Sequence, residues 1–204
     1  MAGLSAASKR AIGSLQAEHK AGDGAKFEGD EFYIKRLIDV ARSNVEQGGH
    51  PFSCLIVNNV TGEILAECPN EIAQTGDPCS HAEIVAIRKA SSILRQRNNP
   101  VDGKNGTVGE DMRGLNFYII TSPCPMCAAA MAFCGPDHIV HVTTRPKWSK
   151  YYPDRRRYIQ VTDFIEPSKV ICKKLPLRQE DRMEEEALKV FRAWNAKNCS
   201  TAPK

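Results

Sequence analysis

Two short stretches of this chain carry residue types at spacings that could do chemistry: Pro78-Cys79-Ser80-His81-Ala82-Glu83 and Pro123-Cys124-Pro125-Met126-Cys127. The first offers an imidazole and, two positions on, a carboxylate. The second offers two thiols three positions apart. Zinc prefers neutral imidazole and thiolate ligands in a tetrahedron. His81, Cys124 and Cys127 make three ligands, so a fourth position stays open. That suits a catalytic site, because structural zinc sites are closed by four ligands. Glu83 would stand beside the open position as a proton carrier. Zinc acidifies water, so the chemistry on offer is hydrolytic. Zinc-bound hydroxide would attack an amidine-like C–NH2 carbon. Glu83 would carry protons to the ring nitrogen and to the departing ammonia.

Other readings of the same residues stand beside this one. Ser80 and Glu83 also spell a capping box, with Ser80 as N-cap. Cys124 and Cys127 could join Cys134 in a closed structural zinc site, although no second Cys-x-x-Cys completes it. A redox dithiol would leave His81 and Glu83 without a role. Serine-type hydrolysis has no support, since no G-x-S-x-G occurs, and no phosphate-binding Gly loop of the usual type is present.

The elements that must position these groups can be read around them. The chain has 204 residues, 42% hydrophobic and 25% charged, which describes one globular domain of ordinary composition. Its formal net charge of +4 neither demands nor excludes a nucleic-acid partner. The 8 cysteines, with no apolar leader and no long apolar run, predict free thiols in a reducing, cytoplasmic compartment and no membrane span. Residues 1–29 read as a flexible N-terminal arm, with a helical turn near 9–18. Ile34, Leu37, Ile38, Ala41 and Val45 predict a helix over 30–47, stopped by Gly48-Gly49. Residues 53–57 and 63–67 read as a hairpin, and 70–78 as a loop. A helix from His81 to about Arg95 buries Ala82, Val85, Ala86, Ile87, Ala90 and Leu94. Residues 97–114 form a polar, Gly-rich surface loop. Phe117 to Ile120 suits a buried strand, the Cys124 helix follows until Gly135-Pro136, and 139–142 is the next strand. Residues 159–163 and 170–174 read as short strands. A last amphipathic helix covers about 178–196, with Met183, Ala187, Leu188, Phe191 and Trp194 on one side. Strands alternating with helices predict an α/β fold, with helices on both faces of a central sheet.

With these residues in view, the chain resembles the cytidine-deaminase superfamily of zinc nucleobase deaminases, whose pattern is H-x-E…P-C-x-x-C. The resemblance covers about residues 30–197 and is closest to the guanine deaminase branch. Gly48-Gly49-His50-Pro51-Phe52 is similar to the family's G-G-P-F with His50 inserted. Asp77-Pro78-x-x-His81-Ala82-Glu83-x-x-Ala86-Ile87-Arg88 resembles D-P-x-x-H-A-E-x-x-A-I-R. Pro123-Cys124-Pro125-Met126-Cys127 matches P-C-P-M-C, and Phe191-x-Ala193-Trp194 resembles the F-x-A-W of the guanine branch. The resemblance implies a cytidine-deaminase-like three-layer sandwich around a mixed five-stranded sheet. It implies zinc on His81, Cys124 and Cys127, and Glu83 as proton shuttle. It puts Asn70 where the family hydrogen-bonds the base, Phe133 where an aromatic walls the purine, and Asp154 near the leaving amine. The implied reaction is guanine to xanthine and ammonia. The implied assembly is a homodimer, with the apolar face of the Cys124 helix as its contact and the C-terminal segment 198–204 near the partner's site.

Two other functions fit parts of the pattern. A tRNA adenosine deaminase shares the zinc motif and admits a flipped base. Lys147, Lys150, Arg155, Arg156 and Arg157 with Trp148, Tyr151 and Tyr152 would then be an RNA-binding patch. The plainer reading is a solvated loop packed against the site. Glu180, Asp181, Glu184, Glu185 and Glu186 make the last helix acidic, which repels an RNA backbone. A non-catalytic scaffold subunit is the third reading, although the presence of Glu83 speaks against it.

Overall fold

The computed structural model describes residues 28–97, 111–153 and 175–199. Most of the N-terminal arm, most of the 97–114 loop, both short strands expected between 159 and 174, and all but the first two residues of the C-terminal tail lie outside the described residues.

The chain opens with α1 (Asp30–Glu46), then the hairpin of β1 (Ser53–Asn58) and β2 (Ile64–Pro69). A single turn, α2 (Ile72–Thr75), leads to α3 (Ala82–Gln96). Then come β3 (Leu115–Thr121), α4 (Pro125–Cys134), β4 (His138–Thr143) and the short α5 (Arg145–Trp148). β5 (Leu177–Gln179) and α6 (Glu184–Asn198) close the fold. The strands form one mixed sheet in the order β2-β1-β3-β4-β5. β1 is antiparallel to both β2 and β3, while β3, β4 and β5 run parallel.

Two helical layers cover the sheet because its inner strands are apolar on both faces. Along β3, Phe117 and Ile119 pack with Ala82, Ala86 and Ala90 of α3 and with Ala128 and Met131 of α4. Tyr118 and Ile120 pack on the other face with Leu37 and Ile38 of α1 and Phe191 of α6. Each fully buried aliphatic side chain in these layers contributes about 1.5–3 kcal/mol. A polar tie crosses the second layer: the Tyr118 hydroxyl donates to Asp30 Oδ1 at 2.7 Å, and Arg178 of β5 pairs with Asp30 at 2.5 Å.

The expected three-layer α/β sandwich with a mixed five-stranded sheet is present. Three details differ from the sequence reading. The last helix does not start near 178: Leu177, Arg178 and Gln179 pair with Ile139, Val140 and His141 as β5, and the helix begins at Glu184. Backbone pairing with β4 outweighs the helical pattern there. Val85 and Ile87 are only partly buried, because the alanines of α3 face the sheet. The 70–78 stretch contains α2, ended by Gly76 in the left-handed conformation at φ 71°.

Candidate metal centre and active site

The functional groups converge where strands end and helices begin. β3 and β4 are parallel and finish side by side at Thr121 and Thr143. The chain turns from β3 into α4 at this edge, and the start of α3 meets it from the same layer. His81 is the N-cap of α3 and Cys124 is the N-cap of α4, both in extended backbone, with Pro125 in the first turn of α4. Helix N-termini present free N–H groups and a positive dipole end, which favour thiolate. The expected capping box does not form. Ser80 Oγ donates to Asp77 Oδ2 at 2.9 Å instead, and His81 rather than Ser80 occupies the N-cap position.

His81 Nδ1 lies 3.6 Å from Cys124 Sγ and 3.6 Å from Cys127 Sγ. All three ligand atoms fall within 4.8 Å of one another. Zinc–nitrogen and zinc–sulfur bonds of ordinary length, set in a tetrahedron, give an N···S edge of about 3.6 Å. The donor set and its spacing therefore fit zinc. Cys134 is not in this group, so among the described residues three protein ligands meet rather than a closed four.

The electrostatics separate the two thiols. A hydrogen bond from Cys127, helped by His81 and the Cys127 backbone N–H, holds Cys124 down at about 4 in spite of burial. Cys127, which gives that bond and is itself buried, is pushed up. Glu83 is 7% exposed. Burial, and then the neighbouring Cys124, raise its carboxyl above the ordinary range. A buried carboxyl with a raised pKa beside a metal site is suited to holding and passing a proton.

A cleft opens over these groups. His81, Glu83 and Cys124 form its floor, Asn70, Thr121 and Ser122 add polar atoms, and Phe52, Trp148 and Tyr152 supply aromatic surface. Asn70 is 3% exposed and sits in the cleft wall. Its Oδ1 accepts the Ile72 N–H at 3.1 Å, so the Asx turn and the cleft position coexist. Asn44 holds this rim from below, donating from Nδ2 to the carbonyls of His50 at 2.8 Å and Asn70 at 2.9 Å.

Phe133 is not brought to this cleft. It is 83% exposed at the last turn of α4, so it is neither core nor a wall of this chain's own site. Asp154 lies outside the described residues. Among the described residues of the 145–158 stretch, Trp148 is buried and Tyr151 and Tyr152 pack half-buried against the same core. Trp148 is 5% exposed and stacks on Phe191 at 5.7 Å, and Lys147 pairs with Glu184 at 2.5 Å. Trp148 and Lys147 are thus engaged within the chain, while Arg155, Arg156, Arg157 and Tyr158 lie outside the described residues. Sequence reasoning did not name Phe52 as a cleft residue, whereas Trp148 and Tyr152 belong to the stretch it read as a loop packed against the site. Among the described residues no two cysteines are bonded, and no helix is long and apolar enough to cross a membrane.

Comparison with known proteins places this geometry. The profile of the cytidine and deoxycytidylate deaminase zinc-binding region matches residues 27–143. Guanine deaminase of Bacillus subtilis is 31% identical over 112 residues, covering 54% of this chain and 62% of that protein. The tRNA-specific adenosine deaminase of Aquifex aeolicus is 26% identical over 112 residues, covering 55% of this chain and 64% of that protein. The chain thus spans less than two thirds of the length of these relatives. A crystal structure in complex with 8-azaguanine superposes with a TM-score of 0.67 at 17% identity, over 84% of this chain and 87% of that one, and so shares the fold.

Proposed function

This chain belongs to the cytidine and deoxycytidylate deaminase zinc-binding family, and from that premise we propose that it is a hydrolytic deaminase of a free purine base, converting guanine and water to xanthine and ammonia. The observation that carries the proposal is the buried Glu83 carboxyl beside the His81, Cys124 and Cys127 trio, on the floor of a cleft walled by aromatic rings. His81 Nδ1 and the two thiolates would hold zinc. Zinc, when bound there, acts as a Lewis acid that makes water a nucleophile near neutral pH. Glu83 accepts a proton from that water and delivers it to the ring nitrogen beside the carbon under attack. It would then take the proton of the hydroxyl added to that carbon and pass it to the departing amine, which leaves as ammonia as the ring carbonyl forms. Asn70, with its Oδ1 committed to Ile72, offers its NH2 end to an acceptor on the base edge. Phe52 and Tyr152 give a planar ring apolar surface on which to pack.

A second reading, deamination of adenosine in tRNA, is favoured by the similarity to the tRNA-specific enzymes, whose identity to this chain is close to that of the guanine enzyme. The inward packing of Trp148 and the pairing of Lys147 with Glu184 weigh toward the free base. The same reading includes a homodimer through the outer face of α4, where Phe133 leaves a large apolar ring in water.

Ultraviolet spectra of the zinc-loaded protein with guanine, adenine, cytosine, their nucleosides and a tRNA anticodon stem-loop test the choice. Turnover of guanine with the others unchanged is the expected result. Turnover of the stem-loop alone would replace this reading with the second one.

A further inference from the structure

Tyr152 lines the cleft, yet none of the motifs that mark the site includes it. Its ring is held from behind on two sides. The Tyr152 hydroxyl lies 3.0 Å from His50 Nδ1, a hydrogen bond across 102 positions of sequence. The Trp194 ring stands 4.5 Å from the Tyr152 ring and 6.1 Å from that of His50. Asn195 Nδ2 donates to the Tyr151 carbonyl at 2.6 Å, which fixes the adjoining backbone to α6. His50 is anchored in turn, because its carbonyl accepts from Asn44 at 2.8 Å. On the cleft side the Tyr152 ring meets Phe52 edge-on at 5.1 Å. A tyrosine tied at its hydroxyl and backed by an indole cannot swing away without breaking that hydrogen bond and losing a ring contact.

We infer that Tyr152 is a substrate-contacting wall of the cleft and that His50 is its positioning residue, with Trp194 of α6 as the backing. The inference rests on the reading of the cleft as a purine site, and it deepens that reading by naming what fixes the wall. It gives His50, the residue inserted into Gly48-Gly49-His50-Pro51-Phe52, a task. It also gives the Phe191-x-Ala193-Trp194 sequence of α6 a connection to the cleft, since Trp194 touches Tyr152 and is not itself among the cleft residues. The role expected of Phe133 passes to a residue held by the opposite helical layer.

A double-mutant cycle tests this on the full-length, zinc-loaded protein. His50→Ala, Tyr152→Phe and the double variant are compared for KM and kcat on guanine, and for binding of guanine by quenching of tryptophan fluorescence. Loss of one neutral hydrogen bond corresponds to about a 3- to 10-fold weaker binding. Each single variant is expected to raise KM and Kd by that factor, with kcat within about twofold and melting temperature within a few degrees. The double variant should be no worse than either single one, because both remove the same bond. Factors that multiply, or an unmoved KM and Kd, would overturn the inference. A general loss of folding would show in the melting temperature and would lower kcat and binding together. If guanine is neither bound nor converted but the anticodon stem-loop is, the free-base reading fails. The same cycle read on stem-loop KM then decides the pairing of His50 and Tyr152 by itself. A wild-type protein that binds neither would overturn both.

Discussion

His81 Nδ1 stands 3.6 Å from Cys124 Sγ although the two residues are 43 positions apart. Two different helices, α3 and α4, deliver these atoms from their N-caps, so the metal centre is a junction between secondary elements rather than a loop. Its preformed spacing makes the site a consequence of the fold.

Removing one ligand should therefore empty the centre without dismantling the domain. His81→Ala should reduce bound zinc from about one ion per chain to a small fraction of that. Chelation of the wild-type protein should lower its melting temperature by about 5–10 °C, the shift expected when an ion held well above its Kd is lost. Metal analysis and a thermal scan check both. A His81→Ala protein that keeps full zinc would mean that another residue is the ligand.

The rim that carries Asn70 depends on a close approach. A Cβ at Gly49 would fall 2.2 Å from Asn44 Oδ1, inside the side chain that holds the His50 and Asn70 carbonyls. Gly49→Ala should destabilise the protein by about 1–3 kcal/mol through overpacking. Denaturant unfolding measures it, and an unchanged midpoint would contradict the crowding.

Acid should weaken the fold through His141. Burial lowers the pKa of this imidazole below the ordinary 6.5, partly offset by its bond to the Thr143 carbonyl and by Glu184. The unfolded chain then binds a proton more readily than the folded one, so stability is complete above 6.5 and falls as pH drops from there toward the folded value. His141→Gln should flatten that part of the profile. An identical slope in wild type and variant between pH 7 and 5 would assign the loss to other groups.

The exposed Phe133 gives the self-association reading a direct test. Sedimentation of the wild-type protein should show a dimer, and Phe133→Ser should move the equilibrium toward monomer by about tenfold or more in Kd. Equal behaviour of the two proteins would place any interface elsewhere.

The motif residues could be read from the chain because their chemistry is local: His81 with Glu83, and Cys124 with Cys127, each share one helical turn. The core helices were legible where apolar residues recur at helical spacing, as in α1. The β3 strand was legible because Phe117, Tyr118, Ile119 and Ile120 form an unbroken apolar run, which the structure extends to Leu115–Thr121. Other features depend on partners distant in sequence. The α4 sequence is apolar almost all round, so periodicity cannot say that Phe133 faces outward and Met131 inward. β5 is three residues with a polar middle and end, and only its pairing with β4 makes it a strand. Ser80 fits a cap pattern, but Asp77 takes its hydroxyl. Tyr152 enters the cleft because His50 and Trp194 hold it there, and neither contact leaves a local signature.

The most direct test of the central claim is ammonia release from guanine by two zinc-loaded proteins, the wild type and Glu83→Gln. The wild type should release ammonia with formation of xanthine. Glu83→Gln should keep its zinc and its fold while turnover falls by about 10²- to 10⁴-fold, the contribution of a positioned proton carrier. Undiminished turnover in Glu83→Gln would contradict the role assigned to Glu83, and no ammonia from the wild type would contradict guanine as the substrate.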